Sequence, residues 1–456
     1  MLRKFAVVAA FVTLLSACST SGGGDERQVL VDFSPDNVAV FVAKYFPAKV
    51  TVTPGQTVAF HQTWTGEPHT ITGGAFPSEA LRKSKQWFAL FDSYTELAAK
   101  NTSMVNPDDP GDATFQQFAA ALKAAKPAAT RDKVLADWRG LRAAYPDLPD
   151  IDNPPDMPFS EVNDLVDRLS ASSFGSLPSA TDDNDNINQN VARPCYLKTG
   201  APPEDPNQSC TAAQRHQPAF DGKYAFYNSG VIPYDGPRGN TYRMKIATTT
   251  KPGKYFFYCA IHGPDQSVEV DVVKPGTKTP SASTVAHQGR QEAEAVVAPM
   301  VAAYRTAVQS NAARFHGSKI KGPFAGLPTD IHGSVNEFVP RTLHVKAGAP
   351  ITWKVSGAHT ISFDVPAYFP ILEFSANKVR FNPKTRRAAG GATPPPADQS
   401  ATKKIDGGTY DGTGFWSSGL VGNDSELDYT LRITKPGTYN YACLVHPQMI
   451  GQIVVS

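Results

Sequence analysis

Sulfur is scarce in this chain: there are five cysteines and six methionines among 456 residues. So little cysteine excludes a scaffold stapled by a dense disulfide framework, and the scattered methionines give no Met-rich soft surface. An excess of either charge is also missing, with 44 Lys and Arg against 42 Asp and Glu. Basic residues so dispersed and so nearly balanced leave no electrostatic footprint for nucleic acid. No two of the ten histidines are separated by a single residue. The N-terminal apolar run Phe5–Leu15 is too short to anchor stably across a bilayer.

What is present is a globular composition, 41% hydrophobic and 19% charged, in a chain long enough for two or three cores. Arg3 and Lys4 precede the run Phe5–Leu15, as in a targeting segment, and it ends in Leu15-Ser16-Ala17-Cys18. That tetrapeptide resembles a bacterial lipobox. The resemblance implies a signal peptide over residues 1–17, lipidation of Cys18, and a tether over 18–27. The mature protein is then expected outside the cytoplasm, lipid-anchored to the outer face of the bacterial cytoplasmic membrane or held in the periplasm and cell envelope.

From Val29 onward the pattern alternates as strands do. Lys49–Phe60 reads as two strands around Pro54-Gly55, with Val50, Val52, Val58 and Phe60 facing a core. The same phrase returns at Thr342–Trp353, and Pro68-His69-Thr70-Ile71-Thr72 returns as Ala358-His359-Thr360-Ile361-Ser362. Phe226–Val231 matches Phe415–Leu420, and Lys251–Tyr255 matches Lys435–Tyr439. Both copies then run into a Cys-x2-His, at Cys259 and His262 and at Cys443 and His446. Ordered blocks repeated in this way mean two copies of one β-sandwich.

In the second copy a thiolate, an imidazole and a thioether fall on one turn, at Cys443, His446 and Met449, and His359 stands directly after a strand upstream. A His₂Cys plane with a weak axial Met is a copper donor set. Here the chain resembles the cupredoxins, and its Cys-x2-His-x2-Met is similar to the short ligand loop of the amicyanins. The resemblance implies a mainly β protein built of two cupredoxin-like Greek-key sandwiches. Residues 28–273 would form the first, with a helical insertion over about 76–218, and residues 331–456 the second, with a partly helical linker over 274–330. It also implies type-1 copper held by His359, Cys443, His446 and Met449, electron transfer as the function, and redox partner proteins at the membrane surface docking near His446. No small-molecule substrate is indicated.

The first copy keeps His69, Cys259 and His262, but its loop is one residue longer and has Gln266 where Met449 stands. A Gln oxygen is an axial substitute in stellacyanin-like relatives and favours the oxidised metal. The residues leave this set open between a variant copper centre and a copy that folds without metal. A copper-trafficking protein is a second reading, for which a Met-rich or paired-Cys surface is missing. A two-domain copper oxidase or nitrite reductase is a third. The oxidases among such enzymes need His-x-His pairs, and both kinds carry a His directly beside the blue-copper Cys, where this chain has Tyr258 and Ala442. An enzyme is therefore not expected.

Cys195 and Cys210 remain as a pair, and an exported compartment favours their disulfide. In the insertion, apolar spacing predicts helices over Ser78–Lys100, Asp112–Lys123, Arg131–Ala144 and Ser160–Ser170, with Asp112 and Ser160 as N-caps. Trp87, Phe88, Leu90 and Phe91 form an apolar stripe to be packed on the sandwich or on neighbouring helices. Asp182–Asn190 reads as a solvated loop without the spacing of a calcium hand. Thr284–Phe315 reads as a helix broken or kinked at Pro299, with His287 and His316 as solvated or helix-end residues, and Thr385–Lys404 reads as a mobile loop.

Overall fold

A computed structural model describes residues 26–456 apart from 36–37, 64–65, 99, 102–103, 106–110, 175–186, 203–204, 206–207, 233–239, 316–317, 329–332, 367–370, 376–377, 397–402 and 423–426. Cys18, His316 and most of the stretch 182–190 therefore lie outside the described residues. Among the described residues no helix is long and apolar enough to cross a membrane.

The chain is mainly β, with two pairs of large mixed sheets. In the first pair, one sheet runs Tyr45–Phe46, Glu26–Val31, Thr57–Gln62, Thr241–Lys245. Its companion runs Lys49–Val52, Gly263–Val272, Gly253–Cys259, His69–Gly73, Phe226–Ile232, Pro194–Leu197. Side chains alternate across each strand, so every second residue enters the core. Val50, Val52, Val58 and Phe60 do so as the alternation predicts, each no more than 1% exposed.

The second pair repeats these pairings. Phe324–Leu327 lies parallel to Pro350–Val355, which is antiparallel to Leu427–Ile433, just as Glu26–Val31 lies parallel to Thr57–Gln62 and that strand antiparallel to Thr241–Lys245. Thr342–Val345, Ile450–Val455, Gly437–Ala442, Ser362–Phe363 and Trp416–Ser417 make the opposite sheet in the corresponding order. Each pair encloses its own apolar core, one holding Phe60, Ile71, Phe257 and Cys259, the other Trp353, Phe363, Trp416 and Cys443.

Two features cross the expected boundaries. Val40–Val42 leaves the first pair and hydrogen-bonds to Gly333–Val339 of the second. Phe324–Leu327, inside the span read as a linker, is an interior strand. Both movements bury an apolar strand face: Val40, Val42, Phe324 and Val335 share a core with Ala293, Val297 and Met300. Those last three belong to the helix Ala282–Ser310, which runs through Pro299 instead of breaking there. The helix ends at Asn311, a residue type that tolerates its left-handed φ of 47°, so Ala312–Phe315 is strand and not helix.

The inserted helices are Ala75–Ala98, Phe115–Ala124, Ala128–Ala144 and Phe159–Phe174. The cap of the second is Thr114, not Asp112, because Thr114 and Gln117 form a reciprocal capping box. Ser160 lies inside its helix, which begins at Phe159, and is therefore not the N-cap. Trp87, Leu90 and Phe91 of the stripe share a core with Phe115, Phe118 and Trp138 of the other helices. Gln189 and Asn190 are buried in a short helix, unlike the solvated loop expected there. Thr385 is likewise buried, in the one-turn helix Pro383–Arg386, where the Asn382 side chain supplies the cap.

Candidate metal centres

The strand Gly437–Ala442 delivers Cys443, and the chain turns back before Ile450–Val455. The turn is closed by two backbone bonds, Cys443 N–H to Met449 O at 2.9 Å and Met449 N–H to His446 O at 3.0 Å. His359 is clamped to Val421 by a reciprocal pair of backbone bonds at 2.9 and 2.8 Å. Thr360 joins the two segments: its Oγ1 accepts from Leu444 N–H at 2.8 Å while its own N–H points at Cys443 Sγ at 3.3 Å. These ties bring His359 Nδ1 to 3.1 Å from His446 Nδ1, and Cys443 Sγ to 3.9 and 3.6 Å from the two rings. Nε2 of His359 donates to Ser356 O at 2.8 Å, which turns Nδ1 toward Cys443 and His446. Met449 is fully buried in the same core as Cys443.

The first group uses the same devices. Thr70 N–H points at Cys259 Sγ at 3.4 Å, and Thr70 Oγ1 accepts from Ala260 N–H at 2.8 Å. Ser229 and Ser418 accept from the N–H of Ile71 and Ile361 in turn, at 2.8 and 2.9 Å. The repeated Thr and Ser therefore hold the loops together, a role that spacing alone does not reveal. His69, Cys259 and His262 offer ligand atoms all within 4.8 Å of one another, as do His359, Cys443 and His446. Gln266 joins the first group: it is fully buried, with Oε1 at 3.1 Å from Nδ1 of both His69 and His262. Cys195 and Cys210 lie elsewhere, joined as a disulfide with Cα atoms 5.8 Å apart.

Electrostatics prepare both thiols. Burial pushes the Cys443 thiol up, but hydrogen bonds from His359 and His446 outweigh it and hold the group well below its ordinary value. Cys259 is depressed likewise: burial opposes, and His262 and then His69 prevail. Burial works against a charged His446, yet Cys443 and Glu67 raise it to about 10. Both thiols are thus pushed toward the thiolate, the form that binds metal.

Sequence reasoning missed three residues. Glu67 sits between the groups, with Oε1 accepting from His446 Nε2 at 2.8 Å and Oε2 at 3.8 Å from His262 Nε2. Asp32, fully buried, faces His69 Nε2 at 3.5 Å. Gly326 lies against His359, where any side chain would collide with the ring. Only Glu67 overturns an expectation. His446 is 1% exposed and turned toward the first sandwich, so it does not present the apolar docking surface read from the sequence.

The donor set fits a single soft or borderline ion. Ligands about 2.0 to 2.3 Å from one metal lie roughly 3.3 to 3.7 Å from each other, close to the separations in the second group. Two imidazoles and one thiolate in a dry pocket suit copper that changes oxidation state.

No protein-family model matches the sequence, and no curated protein does. Among solved structures, the chain is similar to the reduced Cu(I) form of an amicyanin variant at pH 4, at 20% identity over 26% of this chain and 73% of that one, with a TM-score of 0.13. It is similar to the oxidised form of another amicyanin variant at 20% identity over the same shares, with a TM-score of 0.15. TM-scores this low carry no argument about the chain as a whole, and the likeness spans about a quarter of it.

Proposed function

We propose that this protein is an exported one-electron carrier with two type-1 copper centres, one in each of two tandem cupredoxin-like sandwiches. The observation that carries the reading is the convergence of two imidazoles and one thiolate in each of two buried pockets, preformed by the same Thr and Ser bonds. Copper bound there would supply a Cu(I)/Cu(II) couple. Cys443 and Cys259 would give the thiolate, the paired histidines the imidazole nitrogens, and Met449 and Gln266 a thioether and an amide oxygen. The backbone N–H of Thr70 on Cys259 and of Thr360 on Cys443 tempers the donation of each sulfur, and burial excludes water. What supports electron transfer over catalysis is Gln266 Oε1, 3.1 Å from both Nδ1 atoms of the first group, a protein donor where a catalytic metal keeps an open position.

The test is copper stoichiometry with the visible spectrum of the mature protein. Two coppers per chain and an intense absorption toward the red are expected, with one copper lost in Cys259→Ser and the other in Cys443→Ser. A copper-loaded protein without that absorption would overturn the type-1 reading. One copper, kept in Cys259→Ser and lost in Cys443→Ser, would make the first group a structural copy. The lipid anchor is part of the same proposal and rests on the sequence around Cys18. Detergent partitioning of the wild type, abolished in Cys18→Ala, is expected; two equally soluble proteins would remove the anchor.

A further inference from the structure

Glu67 belongs to the contact between the two groups and not to the repeat. Two positions before His359 the second copy has Gly357, so no carboxylate corresponds to it there. In the structure it comes close because its neighbour is Gly66, with φ of +99°: a Cβ at Gly66 would lie 2.3 Å from Val445 O and 3.2 Å from His446 Cα. The 66–67 backbone is thus seated directly on the second ligand loop. From the other side Gln62 Nε2 donates to Glu67 O. The Glu67 side chain is 15% exposed, and its two oxygens address Nε2 of His446 and His262, the ring nitrogens opposite the Nδ1 atoms that enter the pockets.

A carboxylate that holds the outer N–H of a metal-bound imidazole fixes the ring and raises its basicity. Normally one carboxylate serves one ligand. We propose that Glu67 is a positioning residue shared by both centres, so that each senses the occupancy of the other through His262, Glu67 and His446. The proposal rests on the reading of both groups as metal centres. A cation on Nδ1 of one ring makes its outer N–H a stronger donor and draws the shared carboxylate toward it, at the expense of the opposite ring. Filling the first centre therefore weakens the second by several-fold, and the reverse holds by linkage. It also makes His262 and His446 internal contacts between centres and not the contact to an outside protein.

The experiment uses the mature chain, its single-site forms Cys259→Ser and Cys443→Ser, and Glu67→Gln and Glu67→Ala in each. Copper and, separately, Co(II) are titrated while the thiolate-to-metal band of each site is followed. Glu67→Gln is expected to lower the affinity of the second centre on the order of 10–100-fold, and that of the first by less, because its contact is 3.8 Å and not a formed hydrogen bond. In the wild type, filling the first centre shifts the band and affinity of the second; in Glu67→Gln and Glu67→Ala that cross-effect disappears. Thermal unfolding of the metal-free variants checks that the fold is kept, and Glu67→Gln, nearly isosteric, serves if Glu67→Ala fails. Unchanged affinities with an unchanged cross-effect would overturn the proposal, and an effect confined to the second centre would make Glu67 a private partner of His446. If the wild type takes cobalt but no copper, the copper reading fails while Glu67 is judged by the same cobalt criteria. If it takes neither, both fail.

Discussion

The Asp32 carboxylate faces Nε2 of His69 at 3.5 Å with both side chains fully buried, whereas the same nitrogen of His359 meets the backbone carbonyl of Ser356, at 2.8 Å. An anion beside a ligand imidazole favours the more highly charged metal, and the oxygen of Gln266 acts in the same direction. The first centre should have the lower potential and act as internal donor to the second. A redox titration is expected to show two steps. Asp32→Asn should raise the lower one by about 59 mV for each tenfold of Cu(II) preference lost, and Gln266→Met should raise it too, both leaving the upper step in place. Asn is the appropriate change because Asp32 Oδ1 also accepts from the N–H of Phe33 and Val42. Potentials that are equal, or reversed in order, would contradict the assignment.

Gly326 has φ of +74°, and a Cβ there would lie 2.2 Å from His359 Nε2 and 2.2 Å from Ser356 O. Gly326→Ala must push the imidazole out of line or strain the strand. The expected result is loss of metal from the second centre with the first retained, and a metal-free fold weakened by about 1–3 kcal/mol. Site-resolved copper content and thermal unfolding read the two effects. Normal loading of the second centre would show that the strand yields instead of the ligand.

Metal uptake should strengthen with pH. The Cys443 thiol is depressed well below its ordinary value, whereas His446 is raised to about 10 and must lose a proton to offer its Nδ1. Protons compete for that imidazole at every pH below about 10, so affinity falls as pH falls. Calorimetry in buffers of different ionisation enthalpy should find about one proton released per metal at neutral pH. A pH-independent affinity would mean that the pocket is neutral before loading.

The Trp87 side chain is fully buried in a core made by the inserted helices and the segments that join them. Trp87→Ala should destabilise that core by about 3–5 kcal/mol while the absorption of both metal centres stays the same. Loss of metal together with the helices would show that the insertion supports the sites.

The sequence by itself determined the parts whose physics is local. Two-residue alternation marked the strands, and recurring Thr-Ile after each upstream His and Cys-x2-His after each strand marked His69, Cys259, His262, His359, Cys443 and His446, because a tight loop can collect donors only at short spacing. Gln266 was legible by alignment of one copy with the other. Tertiary structure alone decided what surrounds those donors. Glu67 reaches His446 across 379 residues, Asp32 reaches His69 from just past the end of the strand Glu26–Val31, and Gly326 is required by a ring that arrives from a different loop. Val40–Val42 joins a sheet of the second pair and buries its apolar face there, and no periodicity records which neighbour buries a strand. The environment of a metal, unlike its ligands, is set by contacts between distant segments, and these depend on the packing of two cores against each other.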